Sequence, residues 1–187
     1  MNWKMQGAPE RKYQQPEAGL TVTDGSQVAG YASLFGKRDQ GGDVVQKGAY
    51  AASLAKLAAG GRAVKMLGQH DPTQPSGVWD EVREDATGLW VKGRILTEVE
   101  KGREAAALLT AGAIDGLSIG YRTVKAERDG KGQRHLQELE LWEVSLVTFP
   151  MLPEARVSAK GDTSGAEIWQ EVAALFQAAT ETLAGRS

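Results

Sequence analysis

Apolar and polar positions alternate over short stretches through most of the chain, and only three segments read as helix. From Leu20 to Phe35 the run LTVTDGSQVAGYASLF has two β-rich halves around Asp24-Gly25. That dipeptide supplies the positive φ of a hairpin turn, so a hairpin is expected. Residues 36–48, GKRDQGGDVVQKG, form a Gly- and Asp-rich loop, and the Ala- and Leu-rich stretch Ala49–Ala59 predicts a helix that stops at Gly60-Gly61. Ala63–Leu67, Gly77–Arg83 and Gly88–Leu96 are β-prone runs separated by Pro72, Pro75 and the Asp85–Gly88 turn, which suggests consecutive antiparallel strands. Thr97 and Glu100 have capping-box spacing and Gly112 is placed to end the helix, so a second helix is expected over roughly 98–111. Ile114–Ala126 and Gln133–Phe149 flank the turn-like Asp129-Gly130-Lys131-Gly132 and predict a long hairpin.

Both ends of the chain differ from this middle. Residues 1–19 hold Gly, Pro, Gln and scattered charge with no apolar period, and read as a flexible arm. The folded domain is expected over 20–157. Residues 158–187 then read as a linker, Ser158–Gly165, followed by an amphipathic helix carrying Ile168, Val172, Leu175, Phe176, Ala179 and Leu183 on one side. Packing back onto the domain, or serving as a partner-binding or removable tail, fits that helix equally well. The summed pattern is mostly β with flanking helices, an α+β chain whose connections are too short for successive parallel crossovers. An antiparallel sheet or barrel with helices outside it is the expected architecture.

Composition narrows the chemistry. The 187 residues fit one domain with a real core, and the net charge of −2 supplies no positive surplus to neutralise a phosphate backbone, so no nucleic-acid partner is expected. There is no Cys, which removes disulfides, thiolate metal sites and a cysteine nucleophile together. No stretch approaches the ~20 apolar residues of a membrane span, so no membrane partner is expected and a cytoplasmic setting is.

Gly116-Leu117-Ser118-Ile119-Gly120 matches the G-x-S-x-G of α/β-hydrolases. That motif requires a strand, a tight turn and a helix, with acid and histidine both following the serine. Here the serine lies inside a β-prone run, and the only later histidine, His135, follows 17 residues on in a polar context. A small esterase therefore fails on context. Counting by two from Ser118 puts Gly116 and Gly120 on its face, stripping that face of bulk. A close-lying extended peptide would require this, but strand glycines also mark bulges, and on pattern alone the bulge carries more weight.

A serine nucleophile needs a base, and imidazole titrates in the right range. Of the two histidines, His70 is preferred because it sits at a strand end, before Asp71-Pro72, where a side chain reaches a cleft. Glu143 interrupts the apolar stripe Leu139, Leu141, Val147, Phe149. An unpaired buried carboxylate is costly, so it needs a partner. A structural ion pair with an arginine is the commoner arrangement; orienting a catalytic imidazole is the sharper one.

Taken in order, Gly30-Tyr31-Ala32-Ser33-Leu34-Phe35-Gly36, Gly42-Asp43-Val44-Val45 with Gly48-Ala49-Tyr50, Met66-Leu67-Gly68-Gln69-His70-Asp71, Gly116-Leu117-Ser118-Ile119-Gly120-Tyr121 and Glu143-Val144-Ser145-Leu146-Val147-Thr148 resemble the prohead maturation proteases of tailed bacteriophages. The resemblance covers about residues 20–157. That family is similar to the herpesvirus assembly proteases, whose β-barrel is surrounded by helices, and the resemblance implies that fold here. It also implies Ser118 as nucleophile, His70 as base and Glu143 as third member, where the herpesvirus enzymes have a second histidine. Gly116 and Gly120 would admit the substrate backbone. The implied reaction is peptide hydrolysis inside the assembling procapsid, in the host cytoplasm. Its substrates would be the scaffolding region of the major capsid protein or a separate scaffold, and the protease itself, with self-association possible and no metal or organic cofactor. Oxyanion donors are expected in Pro150–Glu154, from Met151, Leu152 or Glu154, since the prolines have no N–H. The competing readings are a catalytically silent capsid-assembly or scaffold protein with the same fold, and a plain peptide-binding β-domain.

Overall fold

A computed structural model describes residues 10–14, 21–23, 26–39 and 41–148 of the chain. Among these residues nine strands join one sheet: β1 Glu10–Gln14, β2 Thr21–Thr23, β3 Gln27–Leu34, β4 Asp43–Val45, β5 Lys65–Gly68, β6 Asp71–Glu84, β7 Gly88–Ile95, β8 Gly116–Arg128 and β9 Arg134–Val147. Two helices are interspersed, α1 Ala51–Ala59 and α2 Glu100–Thr110. The strand order is β1-β8-β9-β5-β6-β7-β3-β2, with β4 pairing β9 off that path.

The β8–β9 hairpin is the spine. Its turn is held by Asp129, whose carboxylate accepts the N–H groups of Lys131 and Gln133 while its own N–H donates to the Gln133 carbonyl. Along it Leu117, Ile119 and Tyr121 are buried on the core at alternate positions of β8, and Leu136, Leu139 and Leu141 of β9 are buried as well, although register shifts in the pairing break strict alternation there. Helix α1 docks on β9 at its N-terminal end, where the Leu141 N–H donates to the Ser53 hydroxyl and the Leu139 N–H to the Ala49 carbonyl. Helix α2 packs on β6 and β7 through Ala105 and Leu109. It ends at Gly112, whose φ of +69° is the left-handed conformation a helix stop uses.

Four features depart from the sequence expectation. The sheet is mixed, because β5 and β4 each pair β9 in parallel. Lys65 and its partner Glu143 are 78 residues apart in sequence, so no turn length announces the pairing of β5 with β9. The strand path runs from β1 to β2 with no pairing between them, so the sheet curls without the closed ladder of a barrel. Helix α2 begins at Val99 with no side-chain cap, so the Thr97/Glu100 capping box is not formed. A turn from the Leu96 carbonyl to the Val99 N–H sets the start instead, and the Arg103 guanidinium donates to the carbonyls of Thr97 and Glu98. Finally, five residues of the expected loose arm form β1, antiparallel to β8. Edge pairing needs only backbone groups, which is why no apolar period signals it. The linker and amphipathic helix at 158–187 lie outside the described residues.

Candidate active site

Strand β9 lies between β5, parallel to it, and β8, antiparallel to it. Glu143 and Ser145 point to one face of this middle strand. On one side the register sets Gly120 beside Glu143 and Ser118 beside Ser145. On the other, β5 runs from Lys65 beside Glu143 to Gly68 beside Leu146, then turns back through Gln69 and His70 into β6. Strand β8, strand β9 and the turn after β5 thus bring Ser118, Glu143 with Ser145, and His70 to the same spot.

The turn that carries the histidine is strained. Gly68 pairs Asp71, and the two residues between them have positive φ, 52° for Gln69 and 62° for His70. Such turns are usually built from Asn and Gly, and a left-handed non-glycine residue costs about 1–2 kcal/mol. Four hydrogen bonds to β9 and its end hold it. The Gln69 N–H donates to the Leu146 carbonyl at 2.9 Å and the His70 N–H to the Ser145 hydroxyl at 3.2 Å. The Gln69 amide clasps Thr148, donating to its hydroxyl and accepting its N–H. Beyond the turn, hydrogen bonds from the Thr73 hydroxyl, the Thr73 N–H and the Gln74 amide fix the Asp71 carboxylate and hold its pKa below the usual range.

The imidazole meets both partners. His70 Nδ1 lies 2.5 Å from Glu143 Oε1, and Nε2 lies 2.6 Å from Ser118 Oγ. A carboxylate only accepts, so Nδ1 carries the proton toward Glu143, and in the neutral ring Nε2 then accepts from the Ser118 hydroxyl. The second carboxylate oxygen, Oε2, accepts from the Ser145 hydroxyl at 2.6 Å. All four side chains are buried, Ser118 and Ser145 completely. No arginine pairs with Glu143 among the described residues; its partners are His70 and Ser145.

Of the explanations offered for the strand glycines, the bulge is present, and the space over Gly120 is taken by a side chain of the site itself. Gly120 pairs Glu143 while Tyr121 pairs Leu141, so Trp142 is an extra, bulged residue that projects outward. A Cβ on Gly120 would sit 2.0 Å from Glu143 Oε1, so the missing side chain makes room for the carboxylate itself. Gly116, at the start of β8, is buried opposite Val147. Beside His70 and Glu143 opens a cleft of about 680 Å³ whose walls include Met66, Pro72, Trp79 and Trp142.

Other expectations fall elsewhere. Ser118 lies two residues into an uninterrupted strand, not at a strand-to-helix elbow. His135 is at the far end of the hairpin, bonded to Gln46 and Asp129. The segment Pro150–Glu154, where oxyanion donors are expected, lies outside the described residues. Ser145, Gln69 and Thr148 carry no role in the sequence reading; the spacing of Ser145 two residues from Glu143 on a strand was the available signal. Ser145→Ala removes the buried hydroxyl that accepts the His70 N–H and donates to Glu143, and is expected to destabilise the fold by about 1–3 kcal/mol. Denaturant unfolding measures this, and an unchanged midpoint would mean the hydroxyl is not holding the turn.

Comparison with known proteins gives a consistent picture. The family described as Caudovirus prohead serine protease matches residues 12–168. The prohead protease of Enterobacteria phage HK97 is 31% identical over 156 residues, covering 80% of this chain and 67% of that protein. The solved structure of the bacteriophage T4 capsid assembly protease superimposes with a TM-score of 0.59 at 17% identity, over 77% of this chain and 100% of that one.

Proposed function

The chain belongs to the Caudovirus prohead serine protease family, and from that premise we propose that it is a serine endopeptidase in which Ser118, His70 and Glu143 form the catalytic triad. The observation that supports this most is the unbroken relay from Ser118 Oγ through His70 to Glu143, at 2.6 and 2.5 Å.

In this reading Ser118 Oγ attacks the scissile carbonyl as His70 Nε2 takes the hydroxyl proton. The imidazolium so formed is stabilised by Glu143 and then gives the proton to the leaving amine, breaking the C–N bond. Water, deprotonated by the same nitrogen, hydrolyses the acyl-enzyme and restores the serine. Glu143 is kept in place by the Ser145 hydroxyl, so the ring stays in the tautomer the first step needs. The mostly apolar cleft beside His70 receives substrate side chains. Gly116 keeps the β8 face narrow enough for a peptide backbone, while the space over Gly120 holds the Glu143 carboxylate. The curled sheet is read as the herpesvirus assembly protease type.

The substrates are the scaffolding region of the major capsid protein or a separate scaffold, and the protease itself, cut within the assembling procapsid. A catalytically silent scaffold protein of the same fold would have no use for a strained histidine turn aligned on a serine. Co-expression with the capsid gene, wild type beside Ser118→Ala, tests the reading. A capsid protein shortened only by the wild type is the expected result, and equal masses in both would contradict it.

A further inference from the structure

We propose that the outer edge of β8 is the docking strand for the polypeptide to be cut, and that β1 is an internal occupant of that edge which restrains the full chain; this rests on the triad reading above.

Strand β8 has two edges. One is paired with β9 along its length, from Gly116 opposite Val147 to Arg128 opposite Arg134. The other is paired with β1 alone, from Leu117 opposite Gln14 to Tyr121 opposite Glu10, with Ser118 opposite Tyr13. A protease holds its substrate extended beside the nucleophile, and an unpaired strand edge does this with backbone hydrogen bonds whatever the side chains. Among the described residues, β1's position is the only free lateral edge at Ser118. Burial along β8 follows the same boundary: Gly116 through Tyr121 are all buried, while exposure begins at Arg122, where β1 ends. Ser118 itself has no exposed surface. A peptide carbonyl cannot meet an oxygen in that condition, so the chain around Ser118 has to move before cleavage, and β1 is the strand paired at its side.

The sequence of β1, ERKYQ, suits a displaceable strand. It has no alternating apolar face to anchor it, and among the described residues β8 is its only strand partner. Backbone hydrogen bonds each contribute little net stability, and an incoming strand replaces them in kind. What favours β1 is its tether, which gives it an effective concentration on the order of millimolar. Dilute substrate therefore competes poorly, and substrate packed at high local concentration competes well.

The test uses the full-length chain carrying Arg11→Pro and Lys12→Pro. Successive N–H groups of a strand point to opposite edges, so adjacent prolines must remove one donor to β8. Two rates are measured: cleavage of an unfolded protein such as casein, and modification of Ser118 by a fluorophosphonate. Both are expected to rise about tenfold or more over wild type. The nonapeptide APERKYQQP, residues 8–16, added to the proline variant is expected to raise KM and leave kcat unchanged. Rates equal to or below wild type, with cleavage still abolished by Ser118→Ala, overturn the strand proposal and leave the triad standing. Cleavage that survives Ser118→Ala overturns the triad reading instead.

Discussion

Ser118→Ala and His70→Ala are each expected to lower kcat by about 10⁶-fold, and the double variant to lower it no further. In the proposed triad the two side chains act as one device: the hydroxyl is a poor nucleophile until Nε2, 2.6 Å away, accepts its proton, and the imidazole has nothing to activate when the hydroxyl is gone. Either deletion therefore removes the whole effect. Folding separates this from collapse of the structure. Ser118→Ala removes a small buried hydroxyl and should unfold within about 1–2 kcal/mol of wild type. His70→Ala also removes the ring that Glu143 and Ser118 contact, but the positive φ of residue 70 is held through its backbone N–H and should persist. Single-turnover cleavage of a capsid-derived peptide, alongside denaturant unfolding, measures both. Losses that multiply in the double variant would mean that the two groups act independently.

Gly120→Ala is the second large effect, although it adds one methyl group and removes nothing. The new Cβ would stand 2.0 Å from Glu143 Oε1 and 2.6 Å from its Cδ, distances no contact tolerates. Glu143 is short of alternatives, because Oε2 is held by Ser145 on its own strand. The carboxylate must leave His70 Nδ1, and the ring loses what fixes its tautomer. Loss of that third member from a triad costs about 10⁴-fold in kcat, with overpacking of about 1–3 kcal/mol in stability. Glu143→Ala should fall by a similar amount, less than His70→Ala. The decisive comparison is the pair: once Glu143 is Ala, adding Gly120→Ala should cost nothing more. A further tenfold loss in the double variant would place the role of Gly120 in substrate approach rather than in housing the carboxylate.

The chemistry of the site was more legible in the sequence than its geometry. A serine between glycines on a strand, a histidine at a strand end and a carboxylate in an apolar stripe each violate a local rule, and such violations gather where function overrides packing. The β8–β9 hairpin could be read from its Asp129 turn, and the end of α2 from Gly112, because those signals are local. What joins the three residues is not local. The parallel pairing of β5 on β9 carries the histidine turn to Ser145, across a separation that no spacing rule spans. Gln69-His70 lacks the Asn and Gly that announce positive φ, so the strain in that turn was invisible until its hydrogen bonds to β9 were seen. Thr97 and Glu100 show the converse: a correct local spacing was overruled when the chain left β7 by a turn fixed through Ser76 and Leu96. The bulge at Trp142 shifts register within one strand, and alternation alone could not place it.

The most direct test is to let a fluorophosphonate react with the folded protein and locate the adduct by peptide mass mapping. If His70 draws the proton from Ser118, a single adduct forms on the peptide holding Gly116–Gly120, at Ser118. Its formation slows by orders of magnitude in His70→Ala while the protein remains folded. An adduct on another residue in place of Ser118, or labelling at the same rate without the imidazole, would contradict it.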